Sequence, residues 1–431
     1  MNDSIRLEPI LIRPGARFIC GGDGLCCTDI HGLGPITKTE LRAIRRIDRS
    51  GAGYDEDFDD LMLRTEADGG CHFLMADRRC RVHAEFGPEA KPLGCRQFPF
   101  FVTATPEGAR IGTYHRCPCR SLGTRPALTV EAALPSIADP RGKPLVNFSV
   151  EAIRLEKKKT IPFAEWRHLE IPLLEELNRG RIPEIFREID PFPPLRRGGS
   201  YIRFAKDLIA SRDGTRFGAA MAWVGDAILN LLGERPARTP HRPWADAFDR
   251  AELRGRATKP ERVLTDFIAD ELWSLRWAEK YSFLRFRADL ATRLAIIADM
   301  EARLRAEGAR RDRAAAEAIS IMEAIAESEH WTELVPLMRL GAASSASSSE
   351  PARKPAEKTV QTKQTKASKP TKQTKASKPT KKQRASAPSK EAASGRRTRA
   401  AAERNALETS LDEDLMDDLS EGLEIEITAL V

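Results

Sequence analysis

Cysteine is missing from everything beyond Cys119 in this 431-residue chain. The eight that exist are Cys20, Cys26, Cys27, Cys71, Cys80, Cys95, Cys117 and Cys119, so thiol chemistry belongs to the first part of the chain. Also missing is a basic start followed by an apolar stretch and a small-residue cleavage site. The opening MNDSIRLEPILIRPGARF has none of these, which argues against export. Nor is there a run of about 20 mostly apolar residues of the kind a membrane span needs. The most apolar stretch, Phe217 to Gly233, is interrupted by Asp226 and Asn230. A cytoplasmic protein with no membrane partner is expected. In that reducing setting, clustered thiols point to metal or redox chemistry rather than to structural disulfides. No GxGxxG loop follows a strand signal, so a Rossmann-type cofactor site is not indicated.

What is present is unevenly spread. The net charge of +7 is an average over unlike parts. Residues 350 to 404 carry 17 Lys and Arg against 4 acids, while 405 to 431 carry 9 acids and no base. The part before them is nearly balanced. From Gly341 the composition turns to Ala, Ser, Lys, Thr and Pro, with TKQTKASKP standing twice in tandem at 362 to 370 and 371 to 379. Such sequence has too few apolar groups to offset the entropy of ordering, and disorder is expected. Leu411, Leu415, Leu419 and Leu423 recur every four positions among the terminal acids, the pattern of a short amphipathic or binding-induced helix. Four regions follow: a cysteine-cluster metal-binding domain over 1–125, a helical domain over 126–343, a disordered basic tail over 344–404 and an acidic amphipathic segment over 405–431.

The expected fold is mainly α, with a small irregular α+β cysteine-rich domain followed by a helical domain and a disordered tail. PILI reads as a short strand leading to Cys20. Thr37 and Glu40 in TKTE have capping-box spacing, and Leu41, Ile44 and Ile47 follow at helical intervals. The acidic GYDEDFDD reads as a solvated loop. Further on, EAIRLEKKKT at 151 to 160 and Glu165 to Leu177 read as amphipathic helices, with Pro172 a break in the second. RIPEIFREIDPFPPL reads as a break or crossover. Ile202 to Leu232, Val263 to Ile297 and Ala314 to Ile325 supply the most apolar helical patterns.

Thiolates are strong ligands for zinc, which takes four N or S ligands at Zn–S distances of about 2.3 Å, and for iron-sulfur clusters, typically with about four thiolates each. Eight thiols exceed one tetrahedral site, which tilts the reading toward an iron-sulfur cluster over zinc. Cys26 and Cys27 are neighbours, with Cα atoms about 3.8 Å apart, nearer than the roughly 4.4–6.8 Å of a disulfide. They are poor partners for each other. Each is expected to serve a different ligand set, or one binds while the other packs. The glycines before them, Gly21, Gly22 and Gly24, let backbone fold closely around a bound ion.

The pattern of Phe18, Cys20, Gly24, Cys26 and Cys27, then Cys71, Phe73 and Leu74, then Cys80, His83, Pro92, Cys95, Arg96, Phe98, Pro99 and Phe100, and last Cys117 and Pro118 resembles the YkgJ-type cysteine-cluster proteins, described as zinc- or iron-chelating domains. The resemblance covers roughly residues 15 to 122. It implies metal ligation by Cys20, Cys26, Cys27, Cys71, Cys80, Cys95 and Cys117, with Asp23, Cys119 and His83 as further candidates. This chain departs from the family at Asp23, where members commonly carry cysteine. The aspartate is either an oxygen ligand or compensated by Cys119, or the site has fewer ligands. Some members resemble flagellin lysine-N-methylases, which implies iron-sulfur-dependent methyl transfer from S-adenosylmethionine to protein lysines. The stretch VLTDFIADELWSLRWAEKYSFLRFRADLATRLAII is loosely similar to their helical half, with no catalytic motif to carry over.

Other residues have an ordinary reading beside a chemical one. His72 and His115 stand next to cysteines, as ligands or as supporting and surface groups. Arg96 either balances thiolate charge, binds an anionic substrate or forms a plain ion pair. Trp273, Trp277, Phe283 and Phe286 read as core before they read as a substrate pocket. The basic tail is a solvated segment first and a nonspecific nucleic-acid contact second, since no base-reading motif accompanies it. Three functions remain open: a 4Fe-4S or zinc protein, a protein lysine methyltransferase, and an adaptor built on a metal-stabilised domain.

Overall fold

The computed structural model describes residues 5–340 apart from Pro140, Arg197, Ala237, Thr239 and Pro240. The basic segment 344–404 and the acidic segment 405–431 lie outside the described residues. Those described are about 49% helical, with 14 α-helices and small sheets. They belong to one compact unit, Met1–Gly341, so the boundary expected near residue 125 falls inside it.

The first third is irregular, as its turns and cysteines suggest. After β1 (Ile10–Ile12), the chain passes the thiols of Cys20, Cys26 and Cys27 and enters α1 (Lys38–Ile47). Here the capping box is present in full: Thr37 accepts from the Glu40 amide at 3.2 Å, while the Glu40 carboxylate accepts from the Thr37 amide at 2.7 Å. The acidic stretch forms the tip of a hairpin between β2 (Ala52–Asp55) and β3 (Asp60–Leu63), rather than an unpaired loop. Two short helices follow, α2 (Arg81–Phe86), entered directly from Cys80, and α3 (Leu93–Gln97), which contains Cys95.

A buried sheet then ties this part to the helices. β4 (Phe100–Thr105) and β5 (Gly108–Thr113) pair antiparallel, and every residue of both is buried. β1 adds to the free edge of β5 and, later, β6 (Phe148–Ser149) to β4, both in parallel. α4 (Pro118–Ser121) begins at Cys117 and carries Cys119. α5 (Val130–Ile137) joins the sheet in one apolar cluster through Ala133 and Ile137.

EAIRLEKKKT is not a helix. It forms β7 (Ala152–Glu156) and β8 (Lys159–Pro162), an antiparallel hairpin turning at Lys157 and Lys158. The physical reason is period-2 burial: Ile153 and Leu155 alternate with exposed neighbours and Ile161 faces them, so a strand buries all three on one side. α6 (Phe163–Asn178) then runs straight through Pro172. One backbone hydrogen bond is lost at the proline, but Trp166, Leu174 and Leu177 are all buried by the same helix, and their packing holds it continuous.

The rest is helical: α7 (Tyr201–Ala210), α8 (Arg216–Leu231), α9 (Ala245–Glu252), α10 (Pro260–Ser274), α11 (Arg276–Lys280), α12 (Phe283–Ala306), α13 (Arg311–Ala326) and α14 (Glu329–Leu334). The expected helical stretch Ile202 to Leu232 is broken between α7 and α8 at Ser211–Thr215, where Thr215 caps α8 by accepting from the Gly218 amide. No helix among the described residues is long and apolar enough to cross a membrane. Asp226, the charge inside the most apolar stretch, is paired with Arg303 at 2.9 Å and with Arg235.

α10 is the helix against which the sheet packs. Trp273 donates from its indole to the Ile111 carbonyl at 3.0 Å, and Thr103 donates to the Ser274 carbonyl at 2.7 Å. The buried Arg110 forks onto Glu170 of α6 at 2.7 and 3.0 Å and lies 4.2 Å from the Trp273 ring centre. Deeper still, Asp270 accepts from Arg13 Nε at 2.6 Å, Thr113 Oγ1 at 2.6 Å and His115 Nε2 at 2.9 Å, and pairs with Arg120. Asp270→Ala would leave Arg13 and Arg120 less neutralised in the interior. A loss of about 3–5 kcal/mol is expected in chemical denaturation, and a loss below about 1 kcal/mol would contradict the role given to this carboxylate.

Candidate functional site

All eight cysteines line one cavity of about 640 Å³. They reach it from separate stretches: the loop after Phe18, the turn after Gly70, the entrance of α2, the middle of α3, and α4. None is in a disulfide. The wall also includes Asp23, His83, Lys91, Arg96, Phe98 and Phe100. Gly24 at φ +77° makes the turn into Cys26 and Cys27, a conformation that other L residues rarely adopt.

On one side the sulfur of Cys119 is the common partner. Its thiol donates to the Asp23 carboxylate at 2.8 Å, and the Gly21 amide donates to its sulfur at 3.1 Å. Contact with Cys119 pushes the pKa of Cys20 and Cys117 far above the usual thiol value and draws that of Cys119 well below it. Burial, then the Cys119 sulfur, pushes the Asp23 acid up to about 7 against the pull of Arg254. The Asp23 carboxylate, bonded to the Cys119 sulfur, places negative charge here.

Arg254, which follows α9, balances that charge. Its guanidinium meets both Asp23 oxygens at 2.9 Å and stands 3.8 Å from the Cys119 sulfur. Arg250, on α9, donates to the Asp23 carbonyl. A Cβ on Gly21 would lie 1.2 Å from Arg254 Nη1, so only glycine leaves room for this approach. Neither arginine stood out in the sequence. Each meets a residue more than 200 positions earlier, and no local pattern marks such a contact.

The other side holds Cys26, Cys27, Cys71, Cys80 and Cys95. The sulfurs of Cys26 and Cys27 are 3.9 Å apart and face the same cavity. The Cys27 contact and burial push the Cys26 thiol well up. Burial raises Cys71 to about 12 and Cys95 to about 11, with neighbouring sulfurs adding to both. Lys91 pulls against these shifts at Cys26 and Cys95. Among the described residues, no three Cys, His, Asp or Glu groups stand together as a set that could hold a metal ion. The thiols share a cavity, and those of Cys26 and Cys27 are in contact within it.

Comparison with known proteins finds no matching family model, no matching curated protein and no matching solved structure.

Of the histidines near cysteines, His83 lines the cavity, whereas His72 and His115 do not. His72 is tied to Glu66 at 2.6 Å and Asp48 at 3.0 Å. His115 lies between Ser121 Oγ at 3.2 Å and Asp270 at 2.9 Å, the connectivity of a hydrolase triad. Two facts remove that chemistry. All three side chains are buried apart from the cavity, and Asp270 is already neutralised by Arg13 and Arg120. Trp273, Trp277, Phe283 and Phe286 are buried core, with Trp277 stacked on Phe286 at 4.8 Å between ring centres.

The pairing of Asp23 with Arg254 should be measurable as a coupling. In a double-mutant cycle of Asp23→Asn and Arg254→Met, denaturation should give an interaction energy of about 1–3 kcal/mol. Additive effects would mean that the two residues do not act as a pair.

Proposed function

We propose that the thiol-lined cavity is a metal centre, an iron-sulfur cluster in preference to zinc, in a cytoplasmic protein similar to the YkgJ-type cysteine-cluster family. The observation that carries this reading is the gathering of all eight cysteines, free and from distant parts of the chain, around one cavity. The donor set suits soft metals, since thiolates are the ligands zinc and iron-sulfur clusters use. Eight thiols exceed the needs of one tetrahedral ion, which favours the cluster. Reduced thiols crowded this closely also suit a compartment that keeps disulfides open.

Cys20, Cys117 and Cys119 would contribute from one side, and Cys26, Cys27, Cys71, Cys80 and Cys95 from the other, with His83 on the same wall. Asp23 is committed to Arg254, which favours a charge-balancing role over ligation. A bound cluster would supply electron transfer or Lewis acidity; bound zinc would supply a crosslink or Lewis acidity. The chain's own residues bury Cys71, Cys117 and Cys119 and offset thiolate charge through Lys91 and Arg254. Protein lysine methylation with S-adenosylmethionine rests on the resemblance to flagellin lysine-N-methylases. The adaptor with a nucleic-acid-binding tail rests on residues outside those described.

Elemental analysis and optical absorption of anaerobically purified full-length protein test the proposal directly. Stoichiometric iron or zinc is expected, and the absence of both would sink it. Because a metal held by the native state also stabilises it, Cys26→Ser, Cys95→Ser and Cys117→Ser should each lower metal content and thermal stability together. Cys119→Ser should do the same, given its place among Cys20, Cys117 and Asp23. Undiminished metal in all four variants would contradict the ligand assignment.

A further inference from the structure

The cavity is larger than its thiols require. A sphere of the Zn–S radius encloses roughly 50 Å³, against about 640 Å³ here. The latter volume lies within the range of small-molecule pockets, about 300–1,000 Å³. The rim reaches solvent at Arg79, whose side chain is 68% exposed.

The cations of this wall are not equivalent. Arg254 is spent on Asp23 and Cys119. Lys91 bears on the thiols of Cys26 and Cys95. Arg78 pairs with Asp246 at 3.4 Å, and Arg79 with Asp77 at 2.6 Å. The side chain of Arg96, like that of Lys91, has no ion pair and no hydrogen bond among the described residues, and the Arg96 Nε is shut from water without an acceptor. Glu40 is near enough for its carboxylate to feel Arg96. However, its oxygens accept from Thr37 at 2.7 and 2.8 Å and from the Leu93 amide at 2.6 Å. A plain ion pair, one of the three roles open to Arg96, is thus not made.

An enclosed guanidinium N–H without a partner is costly, the more so in a charged group. A planar oxyanion would relieve that cost with two parallel bonds. Beside Arg96 the wall is aromatic: Phe98, Phe100 and Phe18, the last two edge to face at 5.0 Å.

We propose that the cysteine cavity also binds a small oxyanion, a carboxylate or phosphate on a compact apolar body, with Arg96 as the recognising cation and Phe18, Phe98 and Phe100 as its apolar wall. The site is independent of whether the thiols carry metal.

The test is isothermal titration of the full chain with benzoate, phenyl phosphate, inorganic phosphate and, as the uncharged control, benzyl alcohol. Metal content is measured on the same samples. Benzoate or phenyl phosphate should bind and benzyl alcohol should not; the winning arm identifies the oxyanion, and weaker binding of inorganic phosphate supports the apolar wall. Arg96→Gln should weaken binding at least tenfold, Arg96→Lys less so, with metal content and melting temperature unchanged. The proposal is overturned if none of the anions binds, if Arg96→Gln binds them as well as the parent, or if benzyl alcohol binds equally. It is also overturned if both Arg96 variants lose metal, which would make Arg96 a partner of the thiols. Anion binding by a protein without iron or zinc would sink the metal reading and leave this one standing.

Discussion

The carboxylate of Asp270 is the constraint on which the rest of the architecture depends. It lies in the middle of α10 with its side chain 4% exposed, and takes donors from the loop after β1, the end of β5 and α4. Those segments are covalently remote but must converge, since an ionised carboxylate in the interior is tolerable only when paired and hydrogen-bonded. Burial alone would raise its pKa. The Arg120 and Arg13 guanidinium groups and His115 hold it well below the usual carboxylate range instead. The arrangement specifies where the cysteine-bearing segment docks. Apolar contact alone would leave that docking free to slide.

This docking has a direct effect on the cavity. Cys117 and Cys119 sit on the same short turn of chain as His115 and Arg120, so the groups that hold Asp270 also place two of the thiols. Arg254 approaches the same thiols from beyond α9 and meets Asp23 across the loop of Cys20. The helices therefore do more than cover the cysteine segment. They supply the positive charge that lets a thiol and a carboxylate lie buried together, and they do so through glycine positions that cannot carry a side chain.

How much of this was legible in the sequence depended on range. Thr37 and Glu40 could be read because a capping box is written within four residues. The helices from Ile202 onward could be read because apolar spacing of three and four is local. The hairpin at 152–162 reads as a helix because Ala152 and Leu155 stand at a helical interval in a short run, and the charged tip at Lys157 and Lys158 suits a helix surface as well as a turn. Pro172 misled for a related reason: the packing that overrides one lost hydrogen bond comes from other parts of the chain. The pairs Arg13 with Asp270 and Asp23 with Arg254 carry no sequence signature, being separated by more than 200 residues.

Asp23 shows what physical geometry adds to motif. The resemblance drawn from the sequence leaves it open to three readings: oxygen ligand, gap compensated by Cys119, or loss of a ligand. In the fold it bonds directly to Cys119 and is gripped by Arg254 on both oxygens. A carboxylate so engaged would have to surrender a bidentate guanidinium pair to bind a metal ion, leaving the half-buried Arg254 without its partner. The balance of charge favours retention. Asp23 and Arg254 act together as a pair beside Cys119, and only the folded chain brings that arginine near.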